Sequence, residues 1–236
     1  MADLAQSLQM QEHLPADFLH TPLKLALPPE ASGLVLHCCC APCAGAVLEC
    51  LKANNISPVV YFYNPNIHPR REYEIRRDEL IEMCALFGFE YAVGDYGVSE
   101  WLAAVKGHED EPERSTRCQL CFDLRMLGTA RFAKERGINL FSSTMATSRW
   151  KSRQQVDAAG MRAMQMTGVS YWGQDWRKKG MAERRNYLVR EIGFYNQRYC
   201  GCVFGRLNEE KTRALHSRKN KAADPLPPSG DGHEVK

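Results

Sequence analysis

The stretch Leu34-Val35-Leu36-His37-Cys38-Cys39-Cys40-Ala41-Pro42-Cys43 passes from a short apolar run into a cysteine-rich turn, and then into helix-like sequence from Ala44 to Ala53. It reads as strand, turn and helix. Outward from it the same alternation repeats. Pro58–Tyr63 (Pro-Val-Val-Tyr-Phe-Tyr) is a second strand, stopped by Asn64-Pro65-Asn66. Arg70 to Phe87 has helical spacing, with Tyr73, Leu80, Ile81, Cys84 and Phe87 near one face. Phe89–Val93, Ile138–Ser143 and Ser170–Trp172 are further strands, and Val98–Val105, about Phe122–Glu135, Lys151–Met166 and Met181–Ile192 further helices. Strands separated by helices predict parallel β-α-β units. In such sheets ligands sit beyond the carboxyl ends of the strands, where the cysteines of 38–43 and the loops after the later strands fall.

The 236-residue chain suits one large α/β domain, placed at 32–213. Residues 1–31, with Pro15, Pro22, Pro28 and Pro29, read as a partly ordered arm, and 214–236 as a disordered tail by composition. Hydrophobic content of 44% and charged content of 25% are those of an ordinary globular protein. No apolar run reaches transmembrane length, and the first residues lack the pattern of a secretory signal. Ten cysteines without such a signal predict reduced thiols in the cytoplasm, used as ligands or catalysts. A net charge of +3 does not by itself call for nucleic acid, but cations gather at 149–153 and 177–190.

Cysteine alone packs well as a small buried hydrophobe, but three clusters in one chain point to a metal or redox site. Cys39-Cys40 and the Cys118-x-x-Cys121 pair together offer four thiolates, enough for structural zinc or for a [4Fe–4S] cluster. Adjacent cysteines do not both follow zinc-knuckle geometry, which favours iron–sulfur. Cys200-Gly201-Cys202 reads either as a strained, reducible disulfide or as two metal ligands, with Gly201 giving the backbone its freedom. His68, Asp95 and Asp123 are further candidates for ligation or proton transfer, with helix capping as the ordinary role of the carboxylates. The hydroxyl-rich stretch Ser142–Ser148, followed by Arg149-Trp150-Lys151, suits phosphate or sugar binding or plain capping. Asp175-Trp176-Arg177-Lys178 and Arg184-Arg185 combine cations with an aromatic, as for an unstacked nucleotide. No phosphate-loop, dinucleotide-fingerprint or nucleophile-elbow motif is present.

The blocks His37–Cys43, Tyr63-Asn64-Pro65-Asn66-Ile67-His68-Pro69, Arg117–Arg125 and Tyr199–Cys202, together with Ser142–Thr144, Asp175–Lys178 and Tyr195–Arg198, resemble the cobalamin-independent epoxyqueuosine reductases (the QueH type). The resemblance spans about 33–205, in the same order. It implies a single Rossmann-like, HUP-type α/β domain with a parallel sheet and cysteine-rich loops at one end. It also implies reduction of epoxyqueuosine to queuosine at the wobble position of tRNA, without cobalamin or ATP, with electrons from an unidentified donor and no membrane.

Carried over by position, Cys39, Cys40, Cys118 and Cys121 would hold a [4Fe–4S] cluster, with Cys38 and Cys43 in reserve because the triple cysteine leaves the numbering open. Cys200 and Cys202 would be a redox-active pair, or the ligands of an additional iron. Arg149, Lys151, Arg177 and Lys178 are the candidate RNA contacts. Two rivals remain: a zinc-stabilised tRNA-binding module without redox activity, and a tRNA-thiolation enzyme, which would need ATP.

Overall fold

The computed structural model describes residues 23–208 together with Asp17, Leu19 and Glu210. The expected tail and most of the expected arm lie outside the described residues. In chain order the elements are β1 (Val35–His37), α1 (Ala41–Ala53), β2 (Val59–Phe62), α2 (Arg70–Phe87), β3 (Tyr91–Val93), α3 (Val98–Ala104), α4 (Thr116–Glu135), β4 (Leu140–Ser143), α5 (Arg153–Thr167), β5 (Ser170–Tyr171) and α6 (Met181–Glu191), with a 3-10 turn at Met145–Thr147. The strands form one parallel sheet in the order β3-β2-β1-β4-β5. This is the doubly wound, Rossmann-like arrangement expected from the alternation of strands and helices.

Period-two alternation sorts the strand residues between two cores. Leu34, Leu36, Val60, Phe62 and Leu140 join α1, α2 and α6 on one face. Val35, Val59, Tyr61 and Phe141 join α4 and α5 on the other. β1 is central, paired on both sides and buried throughout. Helix α1 begins at Ala41, not Ala44, because Pro42 falls in the first turn, where its missing N–H forfeits no bond. Helix α4 begins at Thr116, well before Phe122, so Cys118 and Cys121 lie within its first two turns.

The described part of the arm is anchored. Leu23, Leu25 and Leu27 pack against the larger core, and the Leu25 N–H donates to Asn54 Oδ1 at 2.9 Å. Arg184 of α6 pairs with buried Glu49 at 2.5 Å and with Asp17 at 2.6 Å, so this cation serves the interior. No helix among the described residues is long and apolar enough to cross a membrane.

From β1 the chain builds β2 and β3 on one side, then returns to build β4 and β5 on the other. The switch point, where a crevice opens beyond the carboxyl ends, lies between β1 and β4. His37, fully buried, ties the loops there together: its Nε2 lies 3.0 Å from the Tyr63 carbonyl after β2, and its Nδ1 3.0 Å from Ser143 Oγ at the end of β4. Burial, aided by Arg125, pushes its pKa down to about 3. The neutral ring therefore donates to the carbonyl and accepts from the hydroxyl. His37→Leu leaves the buried Tyr63 carbonyl and the Ser143 hydroxyl proton without this partner, and is expected to cost about 2–4 kcal/mol. A lowered denaturant midpoint at unchanged m-value checks it.

Candidate metal centre

The turn after β1 divides its cysteines between two environments. Cys38 joins the larger apolar core near Cys84, and burial raises its pKa. Cys39, Cys40 and Cys43 form a separate buried group whose Sγ atoms all lie within 4.8 Å of one another. Cys40 caps α1 and Cys43 sits three positions on, so one helical turn brings them to the same side. Of the triple cysteine, Cys39 and Cys40 stand in this group with Cys43, and Cys38 does not.

Hydrogen bonds from Cys40 and Cys43 hold the Cys39 thiol well below its usual value, aided by Lys151, whose Nζ lies 3.9 Å from Cys39 Sγ. Cys40 is pushed up by burial and Cys43 by its hydrogen bond to Cys39. Lys151 is thus buried against sulfur, not displayed to solvent as an RNA contact.

A cavity adjoins this group, lined by Cys118, Cys121, Cys200, Cys202, Glu113 and Lys151, with Trp101 and Trp150 in its wall. The first two cysteines arrive from consecutive turns of α4. The second two arrive on a loop held by Arg76 of α2, which donates to the carbonyls of Tyr199 and Cys200 at 3.2 and 3.3 Å. The His68 N–H donates to the Gly201 carbonyl at 2.8 Å, and the Tyr199 hydroxyl to the His68 carbonyl. Gly201 has φ 120°, and a Cβ there would meet Ile67 at 3.0 Å and Arg76 at 3.1 Å. Gly205 is needed for proximity: its N–H donates to Cys202 Sγ at 3.1 Å, and a Cβ would stand 3.1 Å from Cys200 Sγ.

The Cys200 and Cys202 sulfurs are 3.7 Å apart and are not joined in a disulfide. The expected disulfide is therefore absent: the sulfurs stand well beyond the ~2.0 Å of an S–S bond. The pair shares a proton. Its hydrogen bond to Cys202 lowers Cys200, with help from Lys151, and the same bond together with burial raises Cys202. Burial lifts Cys118 to about 11 and Glu113 to about 7, the latter aided by Cys200.

The other expected residues take different places. His68 packs against Trp101, ring centroids 5.1 Å apart, and neither ring nitrogen has a hydrogen-bond partner among the described residues. Asp123 is engaged by Arg162 at 2.7 Å between α4 and α5, and Asp95 is exposed; neither lines the cavity. The hydroxyls of 142–148 are turned inward and used locally. Ser142 donates to the Trp172 carbonyl at 2.7 Å, and Thr147 to the carbonyls of Cys43 and Thr144 at 3.2 and 2.8 Å. They hold the loop, which leaves none of them for a phosphate.

Sequence reading missed Glu113, Arg117, Arg125 and Gln197. Arg117 and Arg125 are each 1% exposed and line the cavity, and Gln197 Nε2 lies 2.7 Å from Cys40 Sγ. Arg117 and Gln197 flank the cysteine pairs, and that adjacency was the available signal.

Beside the cavity runs a groove of about 620 Å³, lined by Arg149, Arg177, Arg185, Arg190, Trp150 and Trp176 among others. Lys178 lies outside it, 3.6 Å from Asp175.

Fold and site together define a doubly wound α/β protein with a buried polythiol centre at its switch point, chemistry suited to a soft metal or to redox work. The family model described as "Epoxyqueuosine reductase QueH" matches residues 34–208. Proteins of that name from Histophilus somni and Haemophilus influenzae are each 42% identical over 197 residues, covering 83% of this chain and 81% and 80% of theirs. The one from Thermotoga maritima is 33% identical over 189 residues, 79% of this chain and 96% of its own. The chain belongs to the QueH epoxyqueuosine reductase family. Among solved structures, the U34-tRNA thiolase NcsA from Methanococcus maripaludis with its [4Fe-4S] cluster aligns at TM-score 0.43 and 13% identity over 91% of this chain and 73% of that one, too loosely to bear on function.

The division of the turn makes a direct prediction. Cys38→Val leaves metal content per chain unchanged after anaerobic purification, whereas Cys39→Ser lowers it sharply, as elemental analysis will show.

Proposed function

We propose that this chain is an iron–sulfur oxidoreductase that removes the epoxide oxygen of epoxyqueuosine at the wobble position of tRNA, giving queuosine. The observation that carries the reading, beside family membership, is that Lys151 touches the group of Cys39, Cys40 and Cys43 and also lines the cavity that holds Cys118, Cys121, Cys200 and Cys202. Reduced thiols and a tRNA substrate both belong to a cytoplasmic setting.

Cys39, Cys40, Cys118 and Cys121 would hold a [4Fe–4S] cluster, with Cys43 in reserve, and the cluster when bound supplies electrons singly. The donor set fits: the ligands are sulfur, buried or half-buried, and Lys151, Arg117 and Arg125 surround them with buried positive charge. Turning an epoxide into an alkene takes two electrons and two protons and releases water. The Cys200/Cys202 pair would deliver both electrons and the one proton it holds, on Cys202, by closing to a disulfide that an external donor then reopens, and Glu113 would supply the second proton. Glu113, beside Cys200, can hold a proton where the oxygen leaves. The same two thiols could instead ligate an additional iron. A specific spacing favours the zinc-site rival: Cys39 and Cys40 sulfurs 3.7 Å apart match two thiolates on one tetrahedral ion at ~2.3 Å each.

Iron and sulfide analysis of anaerobically purified protein, followed by turnover of epoxyqueuosine-bearing tRNA with a strong reductant, tests the reading. Stoichiometric zinc without iron, and no turnover, would overturn it. Cys200→Ser is expected to abolish turnover while leaving iron content intact. A loss of iron along with turnover would assign the pair to a further iron, and full turnover would remove the dithiol from the mechanism.

A further inference from the structure

We propose that the arginine-lined groove holds the phosphate backbone of the tRNA anticodon arm, and that Trp150 stacks on a nucleotide where that groove meets the mouth of the cysteine cavity. This rests on tRNA being the substrate.

The wall formed by α6 follows from its periodicity. Ala182, Arg185, Asn186, Val189 and Arg190 recur at helical spacing on the groove side, while Met181, Arg184 and Leu188 are buried on the opposite side. The two kinds of arginine on this helix have different duties. Arg184 is consumed by Glu49 and Asp17. Arg185 donates only locally, to Asn186 at 3.1 Å, and its buried Nε has no partner among the described residues. Arg190 is exposed. From the facing segments come Arg149 and Arg177, and among the described residues no carboxylate lines the groove, although Asp175 stands behind Arg177 at 3.8 Å. Four guanidinium groups along one channel match a run of phosphates, which arginine binds through paired N–H donors.

Three consecutive residues then connect groove to chemistry. Arg149 lines the groove, Trp150 lines both groove and cavity, and Lys151 lines the cavity and touches Cys39. The Arg149 guanidinium lies over the Trp150 ring at 4.8 Å, which orients the indole. Single-stranded loops are recognised by a cationic track for the backbone with aromatics for unstacked bases. An indole at the mouth of a buried cavity meets the second requirement. Trp150 is accordingly a positioning residue, and the four arginines form a binding surface.

The test uses metal-loaded protein and an unmodified tRNA transcript, with binding measured across a KCl series. For Arg185→Ala/Arg190→Ala the slope of log K against log salt is expected to flatten by about 1.5, since each phosphate no longer neutralised removes roughly 0.7–0.9, with an unchanged visible spectrum. Arg149→Ala/Arg177→Ala, on the other wall, gives the same readout should the first pair fail to fold. Unchanged affinity and slope in both would overturn the groove. Trp150→Ala is expected to lower turnover of bound epoxyqueuosine tRNA by roughly tenfold or more, with a smaller effect on binding, and Trp150→Phe to restore it. Wild-type turnover in Trp150→Ala would overturn the stacking role. Wild-type protein that binds tRNA through the groove but never reduces epoxyqueuosine would sink the reductase reading and leave the groove standing. Reduction with binding unaffected by the arginine variants would do the reverse.

Discussion

One neutral imidazole fixes the working edge of this molecule. A parallel sheet delivers its functional loops to one edge but does not bind them to each other, since backbone pairing ends with the strands. His37, at the end of the central strand, closes that gap by meeting Tyr63 after β2 and Ser143 at the end of β4. Asn64 extends the tie: its Nδ2 donates to the Cys38 carbonyl at 2.9 Å, and its Oδ1 accepts from Arg125 of α4 at 2.6 Å. The cysteine turn is therefore held against three other segments before any metal is considered. A charged imidazole would have two donors and could not accept from Ser143, so burial that keeps the ring neutral also keeps the loops in register.

That rigid edge has an electrostatic consequence. Several thiols below the surface cannot all ionise, because thiolates repel one another, and a buried anion without compensation is costly. The chain answers with cations of comparable depth: Lys151 at Cys39, Arg117 and Arg125 in the cavity wall, and Arg76 beneath the Cys200 loop. Arg76 is itself paired with Glu72 at 2.6 Å, which leaves its remaining donors for the carbonyls of 199 and 200. The ionised form is thereby concentrated on Cys39 and Cys200, one in each thiol group. Each is lowered first by hydrogen bonds from its neighbouring thiols, with Lys151 assisting.

Much of this was legible in the sequence because it is local. Strand and helix order followed from periodicity, and α2 is bounded as its spacing predicted, at Arg70 and Phe87. The thiol clusters announced themselves by composition. What could not be read was depth. Lys151 sits in a run of cations that includes the exposed Arg149, and nothing local distinguishes the two. Asp123 lies two positions from a site cysteine, but on a helix that displacement turns it toward α5 and Arg162. Glu113 arrives from a charged loop without periodicity, and its position beside Cys200 is a tertiary fact. The same holds for Gln197 and Cys40, 157 residues apart in the chain and in contact through Nε2 and Sγ.

The start of α1 explains how this switch point came to favour sulfur. In doubly wound folds a glycine-rich first turn offers its free N–H groups to a phosphate. Here Pro42 removes one of those donors, and Ala41 and Cys43 are buried around the rest. What remains at the helix start is side-chain chemistry: Cys39 before it, Cys40 at its cap and Cys43 in its first turn. The hydroxyls after β4, which could have answered a phosphate from the other side, are folded inward to hold their own loop. On the proposed reading, phosphate recognition falls to the arginine groove beside the switch point, and the crevice is left to the thiols. A nucleic acid fits that division, because its phosphates and its reacting base are on separate parts of the same molecule and need two adjoining sites.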